Sequence, residues 1–129
     1  MLEVLEGGLL ATIQDLGRPG LRSSGINPGG AMDHFALRAA NALLGNADPA
    51  AIIEMHFPPP RFRFSEPAVF ALAGADFNAI LQTESGSKRV DPWRPYVAWA
   101  GDQLHFDKST RPNEARGYLG VRGGFNVPA

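Results

Sequence analysis

The stretch "TIQDLGRPG", Thr12 to Gly20, sets the carboxylate of Asp15 and the guanidinium of Arg18 three residues apart on a turn that also holds Gly17, Pro19 and Gly20. Glycine admits positive φ, whereas proline fixes its own φ and pushes Arg18 towards extended backbone, so the direction of the guanidinium is restricted. Two uses fit the pair. Asp15 and Arg18 can pair with each other or with turn amides and simply rigidify the loop. Alternatively, Arg18 presents its planar fork to a carboxylate or carbonate-like group. In a second stretch, "GINPGGAMDHF", Gly29 and Gly30 stand just before a helix start, where backbone amides and the helix dipole can receive an anion or an oxyanion. A tight loop without ligand satisfies the same residues, and the run lacks the GxxxxGK[ST] pattern of a phosphate loop.

Glu54 raises a different question. A carboxylate inside the apolar run "AAIIEMHF" must either face water or be buried with a partner. Asn41, central in an apolar helical pattern, is a poor helix-interior residue unless its side chain bonds something. His34 and His56 have neither the i, i+4 nor the HExxH spacing of metal ligands, and the chain has no cysteine, so no metal site is expected.

Short strands must position these groups. "LEVLE", "LLATIQ", "AAIIEMHF", "RFRF", "AVFALAG", "FNAILQT", "YVAWAG", "DQLHF" and "RGYLGVRGG" have strand length and are bounded by turn residues drawn from 15 glycines and 11 prolines. In "RFRF", Phe62 and Phe64 alternate with Arg61 and Arg63, as a half-buried strand requires, and "DQLHF" places His105 on a solvated face in the same way. Trp93, Tyr96 and Trp99 are spaced by three, which mixes the two faces of a strand and gives core or rim packing rather than one stacking platform.

One segment differs. "MDHFALRAANALLGN" predicts a helix over about residues 33–45, with Asp33 as N-cap and Gly45-Asn46 closing it in a left-handed cap. A single helix among eight or nine strands suggests a barrel or sandwich with one end plugged.

The chain has 129 residues, 44% hydrophobic and 19% charged, enough for one domain over residues 1–129 with a real core. A net charge of −1 with mixed signs gives no footprint for nucleic acid or an anionic membrane. No run reaches the roughly 20 apolar residues of a spanning helix, and the acidic N-terminus is unlike a signal peptide, so a cytoplasmic protein is expected. The tail "GYLGVRGGFNVPA" ends on apolar and turn residues without a polar fraying end, which suggests a piece of a longer chain.

The ordered series "GLLATIQDLGRPG", "GGAMDHFALRAANALLGN", "IIEMHFPPPRFRF", "ALAGADF", "WRPYVAWAGDQLHF" and "ARGYLGVRGGFNVP" resembles the C subunit of prokaryotic 5-oxoprolinase. That family is also called allophanate hydrolase subunit 2 or biotin-dependent carboxyltransferase subunit, and includes the related domain of urea amidolyase. The resemblance spans essentially the whole chain and departs at "HFPPPRFRF", where the family usually has a glycine-containing turn before the proline. Pro58, Pro59 and Pro60 predict an extended, stiff connection there.

The resemblance implies a mainly β fold, a cyclophilin-like β-barrel with one principal helix, in a chain that is the N-terminal part of a longer protein. It implies ATP-dependent ring opening of 5-oxoproline to glutamate with subunits A and B and a small-molecule substrate; the chain shows no nucleotide loop, so ATP is expected mainly on a partner or at a shared interface, with no cofactor bound by this chain alone. By motif position it makes Asp15, Arg18 and Asp33 the catalytic candidates and Arg18, Gly29, Gly30 and Met32 the substrate-binding ones. Arg18 then takes the substrate carboxylate, the Gly29-Gly30 amides a carbonyl oxygen, and Asp33 caps the helix or orients a substrate group, with Asn41 and Glu54 supporting the turn. Apolar surface left by an incomplete barrel pair would favour a homo-oligomer. Other readings are a carboxyltransferase domain passing CO₂ from biotin on a partner to a urea-like acceptor, and a non-enzymatic regulator of a histidine-kinase inhibitor. Peptidyl-prolyl isomerase activity rests on barrel analogy alone.

Overall fold

A computed structural model of the chain describes residues 2–6, 12–14, 34–47, 50–56, 59–107 and 116–124. Along these residues the order is β1 (Leu2–Glu6), β2 (Thr12–Gln14), α1 (His34–Leu44), β3 (Ile52–His56), β4 (Arg61–Phe64), β5 (Ala68–Gly74), β6 (Ala79–Thr83), β7 (Gly86–Val90), β8 (Pro95–Ala98), β9 (Gln103–Phe106) and β10 (Arg116–Val121). The strands form two five-stranded antiparallel sheets, ordered β1-β4-β9-β6-β7 and β2-β3-β10-β5-β8.

Alternation decides which residues meet between the sheets. Phe62, Phe64, Leu81, Leu104 and Phe106 point inward from the first sheet, and Ile53, Met55, Phe70, Leu72 and Leu119 from the second, in one buried cluster. Phe70 lies 5.2 Å from Phe64 and 5.9 Å from Tyr96, ring centre to ring centre. Each such side chain, fully buried, stabilises the fold by about 1.5–3 kcal/mol. Arg61, Arg63 and His105 occupy the opposite, half-buried face, as their alternation predicts.

The barrel expectation needs correction. Among the described residues no ladder joins β7 to β8 or β1 to β2, so the architecture is an open two-sheet sandwich and not a closed barrel. On one side the gap is bridged by side chains: Lys88 of β7 lies 5.6 Å over the ring of Tyr96 in β8. A charged residue turned across the gap discourages backbone pairing at a sheet edge. β7 itself is a strand that the residue pattern does not announce, because "GSKRV" is exposed at its first four positions and shows no apolar alternation.

The helix does not plug an end. Ala36, Leu37, Ala40, Asn41 and Leu44 are its buried residues, a stripe at helical spacing. Of these, Ala36, Leu37 and Ala40 pack with Ile52, Ala73 and Tyr118 on the outer face of the second sheet. Its C-terminus closes as the sequence predicts: Gly45 takes φ +74°, its N–H donates to Ala42 O at 3.2 Å, and Asn46 N–H donates to Asn41 O at 2.8 Å. This is the two-bond left-handed cap, for which glycine is the residue without a Cβ penalty. Of the proline run, Pro59 and Pro60 are buried, while Pro58 lies outside the described residues.

Candidate functional site

Asp15, Arg18, Gly29, Gly30, Met32 and Asp33 lie outside the described residues. Glu54 and Asn41 lie within them, and the structure separates the two.

On the face of the second sheet that carries the helix, β3 places Ile52, Glu54 and His56, while β10 places Arg116, Tyr118 and Gly120, by the period of two that the helix-facing positions Ile52, Tyr118 and Gly120 fix. The β3–β10 ladder sets Tyr118 directly opposite Glu54 and Arg116 directly opposite His56. The Tyr118 hydroxyl donates to Glu54 Oε2 at 2.8 Å. Tyr118 is 1% exposed and Glu54 4%, so the choice posed by a carboxylate in an apolar strand falls on burial with a partner. A hydrogen bond to an ionised acceptor is stronger than a neutral one and offsets part of the desolvation that burial imposes on the carboxylate.

The Tyr118 ring is held by Gly74. This residue ends β5 at φ +79°, and a Cβ there would stand 2.9 Å from Tyr118 Cδ2 and 3.0 Å from the carbonyl oxygen of Arg116. Only glycine combines that backbone conformation with that approach. Beside β5, Trp93 donates its backbone N–H to Leu72 O at 2.7 Å in a left-handed conformation of φ +70°. Its ring meets the exposed Phe35 at 6.1 Å, forming an aromatic rim beside the start of α1.

Asn41 belongs to the other end of the helix. Its Nδ2 donates to Ala50 O at 3.0 Å and its Oδ1 accepts from Asn46 Nδ2 at 3.1 Å. Asn46 also donates to Val121 O at 2.8 Å and accepts from Gly123 N–H at 2.7 Å. Arg122 Nε donates to Leu44 O at 3.1 Å, so this network ties the helix C-terminus to the end of β10. It contributes rigidity to the platform under Tyr118, at a distance of several residues along β10.

Comparison with known proteins places the chain. Residues 24–129 match the family described as carboxyltransferase domain, subdomain A and B. The chain belongs to this carboxyltransferase-domain family.

The carboxyltransferase-domain chain is 40% identical over 129 residues to the 5-oxoprolinase C subunit of Haemophilus influenzae and 37% identical over 134 residues to that of Escherichia coli, with 99% of the chain covered in both. It spans 40% and 39% of those proteins' lengths. Among solved structures it superposes on the urea amidolyase of K. lactis with a TM-score of 0.81 and 31% identity, covering 99% of the chain and 7% of that protein.

Within this carboxyltransferase domain, the outer face of β3 and β10 brings together a carboxylate, a phenol, an imidazole and a guanidinium. Such a set can accept a proton, donate hydrogen bonds and balance an anion. Among the described residues, no group of three His, Asp or Glu side chains is placed to hold a metal ion. None of the described helices is long and apolar enough to cross a membrane. A cleft of about 760 Å³ opens at the other end of the sandwich, between the turns after β6 and β8, lined by Gln82, Lys88, Trp99 and Gln103 among others. Its buried acid, Asp102, is committed to the turn by accepting Trp99 N–H at 2.8 Å.

The sequence singled out Glu54 but not Tyr118, His56 in this role, Arg116 or Gly74. One signal was available: a buried carboxylate requires a donor, and "RGYLGV" supplies Arg116 and Tyr118 at alternate positions of a strand.

Proposed function

We propose that this chain is the non-ATP-binding component of a multi-subunit 5-oxoprolinase, acting in the cytoplasm with subunits A and B to open 5-oxoproline to glutamate. The observation that carries the reading is the 40% identity, over 99% of the chain, to a protein named as the C subunit of 5-oxoprolinase. The buried Glu54–Tyr118 pair supports it, since a polar cluster maintained on a sheet face against desolvation suits a site for a small polar molecule. In the reaction, water adds to the lactam carbonyl carbon, the C–N bond breaks, and the freed nitrogen takes a proton, while ATP hydrolysis on the partner subunits supplies the driving force. Asp15, Arg18, Gly29, Gly30, Met32 and Asp33 are the proposed contacts of the substrate from this chain, and Glu54 with Tyr118 fixes the face of β3 and β10.

The test is ATP- and 5-oxoproline-dependent glutamate formation by subunits A and B, with and without this chain. Activity that requires the chain and drops at least tenfold with Glu54→Gln is the expected result. Equal activity without it overturns the reading. A second reading is favoured by the family description itself: transfer of a carboxyl group from biotin on a partner to the nitrogen of a urea-like acceptor. Specific retention of a biotinylated partner on the immobilised chain, blocked by excess urea-like acceptor, distinguishes it.

A further inference from the structure

We infer that Arg116 and His56 form the seat of a small carboxylate-bearing ligand on the outer face of β3 and β10, an assignment that rests on the 5-oxoproline reading and names the residues that grip its carboxylate. Both side chains are neither fully buried nor free in water. The ladder sets them directly opposite each other, which places their Cβ atoms about 5 Å apart. Among the described residues neither side chain has a hydrogen-bond or ion-pair partner; the Arg116 backbone carbonyl accepts Ala75 N–H at 2.9 Å. Among the described residues the acid on this face is Glu54, diagonal to Arg116 across the ladder and within the reach of an arginine side chain, yet no ion pair joins them. Glu54 accepts from Tyr118 instead.

Two surface arginines do keep carboxylate partners. Arg63 pairs with Glu3, and Arg89 pairs with Asp76 and Asp91, with side chains between 41% and 52% exposed. A partly buried guanidinium that is not paired with the nearby carboxylate, beside an imidazole on the same face, presents donors suited to an external anion. The planar fork of Arg116 matches a carboxylate bidentately, and His56 donates from the flank. The buried Tyr118–Glu54 pair next along the ladder backs the seat, and Gly74 holds the phenol in place.

The experiment uses the whole chain with ring-labelled histidine, and His56 is identified by His56→Gln. It is titrated with 5-oxoproline, with 2-pyrrolidinone, which is the same lactam without the carboxylate, and with inorganic phosphate. Saturable shifts of His56 with 5-oxoproline, weaker by at least tenfold with 2-pyrrolidinone and with phosphate, are expected. Arg116→Gln should weaken 5-oxoproline binding at least tenfold and Arg116→Lys by less, while Arg63→Gln, on the other sheet, leaves the preference for 5-oxoproline over 2-pyrrolidinone intact. An unmoved His56, a stronger response to phosphate, or loss of the preference in Arg63→Gln with its retention in Arg116→Gln overturns the assignment. If His56 responds to the carboxylate as stated but no mixture with subunits A and B forms glutamate, the seat stands and the ring-opening reading falls.

Discussion

Gly74→Ala tests how the fold holds its candidate site. An alanine at φ +79° adopts a left-handed conformation at a cost of about 1–2 kcal/mol. Its methyl would also lie 2.9 Å from the Tyr118 ring and 3.0 Å from the Arg116 carbonyl oxygen, and the second of these is backbone that cannot swing aside. Forcing a methyl into packed surroundings adds about 1–3 kcal/mol, for a total of about 2–5 kcal/mol. Gly45→Ala is the matched control: its φ is +74°, but nothing stands within 4 Å of the added Cβ, so only the conformational part, about 1–2 kcal/mol, applies. Urea denaturation of the two variants and the parent gives the difference directly. An excess loss of about 1–3 kcal/mol in Gly74→Ala is expected, together with weakened 5-oxoproline binding. Equal losses would show that the contact between Gly74 and Tyr118 carries no energy, and the account of how the phenol is positioned would be wrong.

Three further outcomes are expected. Tyr118→Phe and Glu54→Gln, measured singly and together, should couple by about 1.5–3 kcal/mol, as a buried hydrogen bond to a carboxylate does; additivity within about 0.5 kcal/mol excludes a working bond. Asn46→Ala removes donors to Asn41 and Val121 and the acceptor of Gly123 N–H, so stability should fall by about 1–3 kcal/mol and hydrogen exchange at the Gly123 amide should accelerate. Burial, with the Arg61 charge second, holds the His105 imidazole below its usual value of 6.5, and Asp107 pulls the other way. The unfolded chain therefore binds this proton first. Stability contributed by the site is constant above about pH 6.5 and falls as the pH drops from there towards the folded value. Urea midpoints at about pH 7.5 and 5.5, on either side of that value, should show a shallower pH dependence in His105→Gln than in the parent; identical slopes would refute it.

Local pattern sufficed wherever one residue's surroundings follow from its neighbours in the chain. The alternation in "RFRF" and "QLHF", the apolar stripe of "HFALRAANALL" and the glycine cap at Gly45 each state their own structure, because strand period, helix period and φ preference act over a few residues. β7 escaped for the same reason in reverse: an exposed edge strand is held by its hairpin with β6 and needs no apolar pattern.

What the tertiary structure alone decided is where the faces meet. Whether the sheets close into a barrel or stop as a sandwich depends on contacts between β7 and β8, such as Lys88 over Tyr96, that no local period encodes. Residues 54 and 118 are separated by 64 positions, and only the register of β3 against β10 sets phenol on carboxylate and guanidinium beside imidazole. Glu54 by itself announced a need for a partner, since a carboxylate in an apolar strand cannot be left unsatisfied; the identity of that partner is a property of the ladder, where a shift of one residue would turn every one of these side chains to the opposite face.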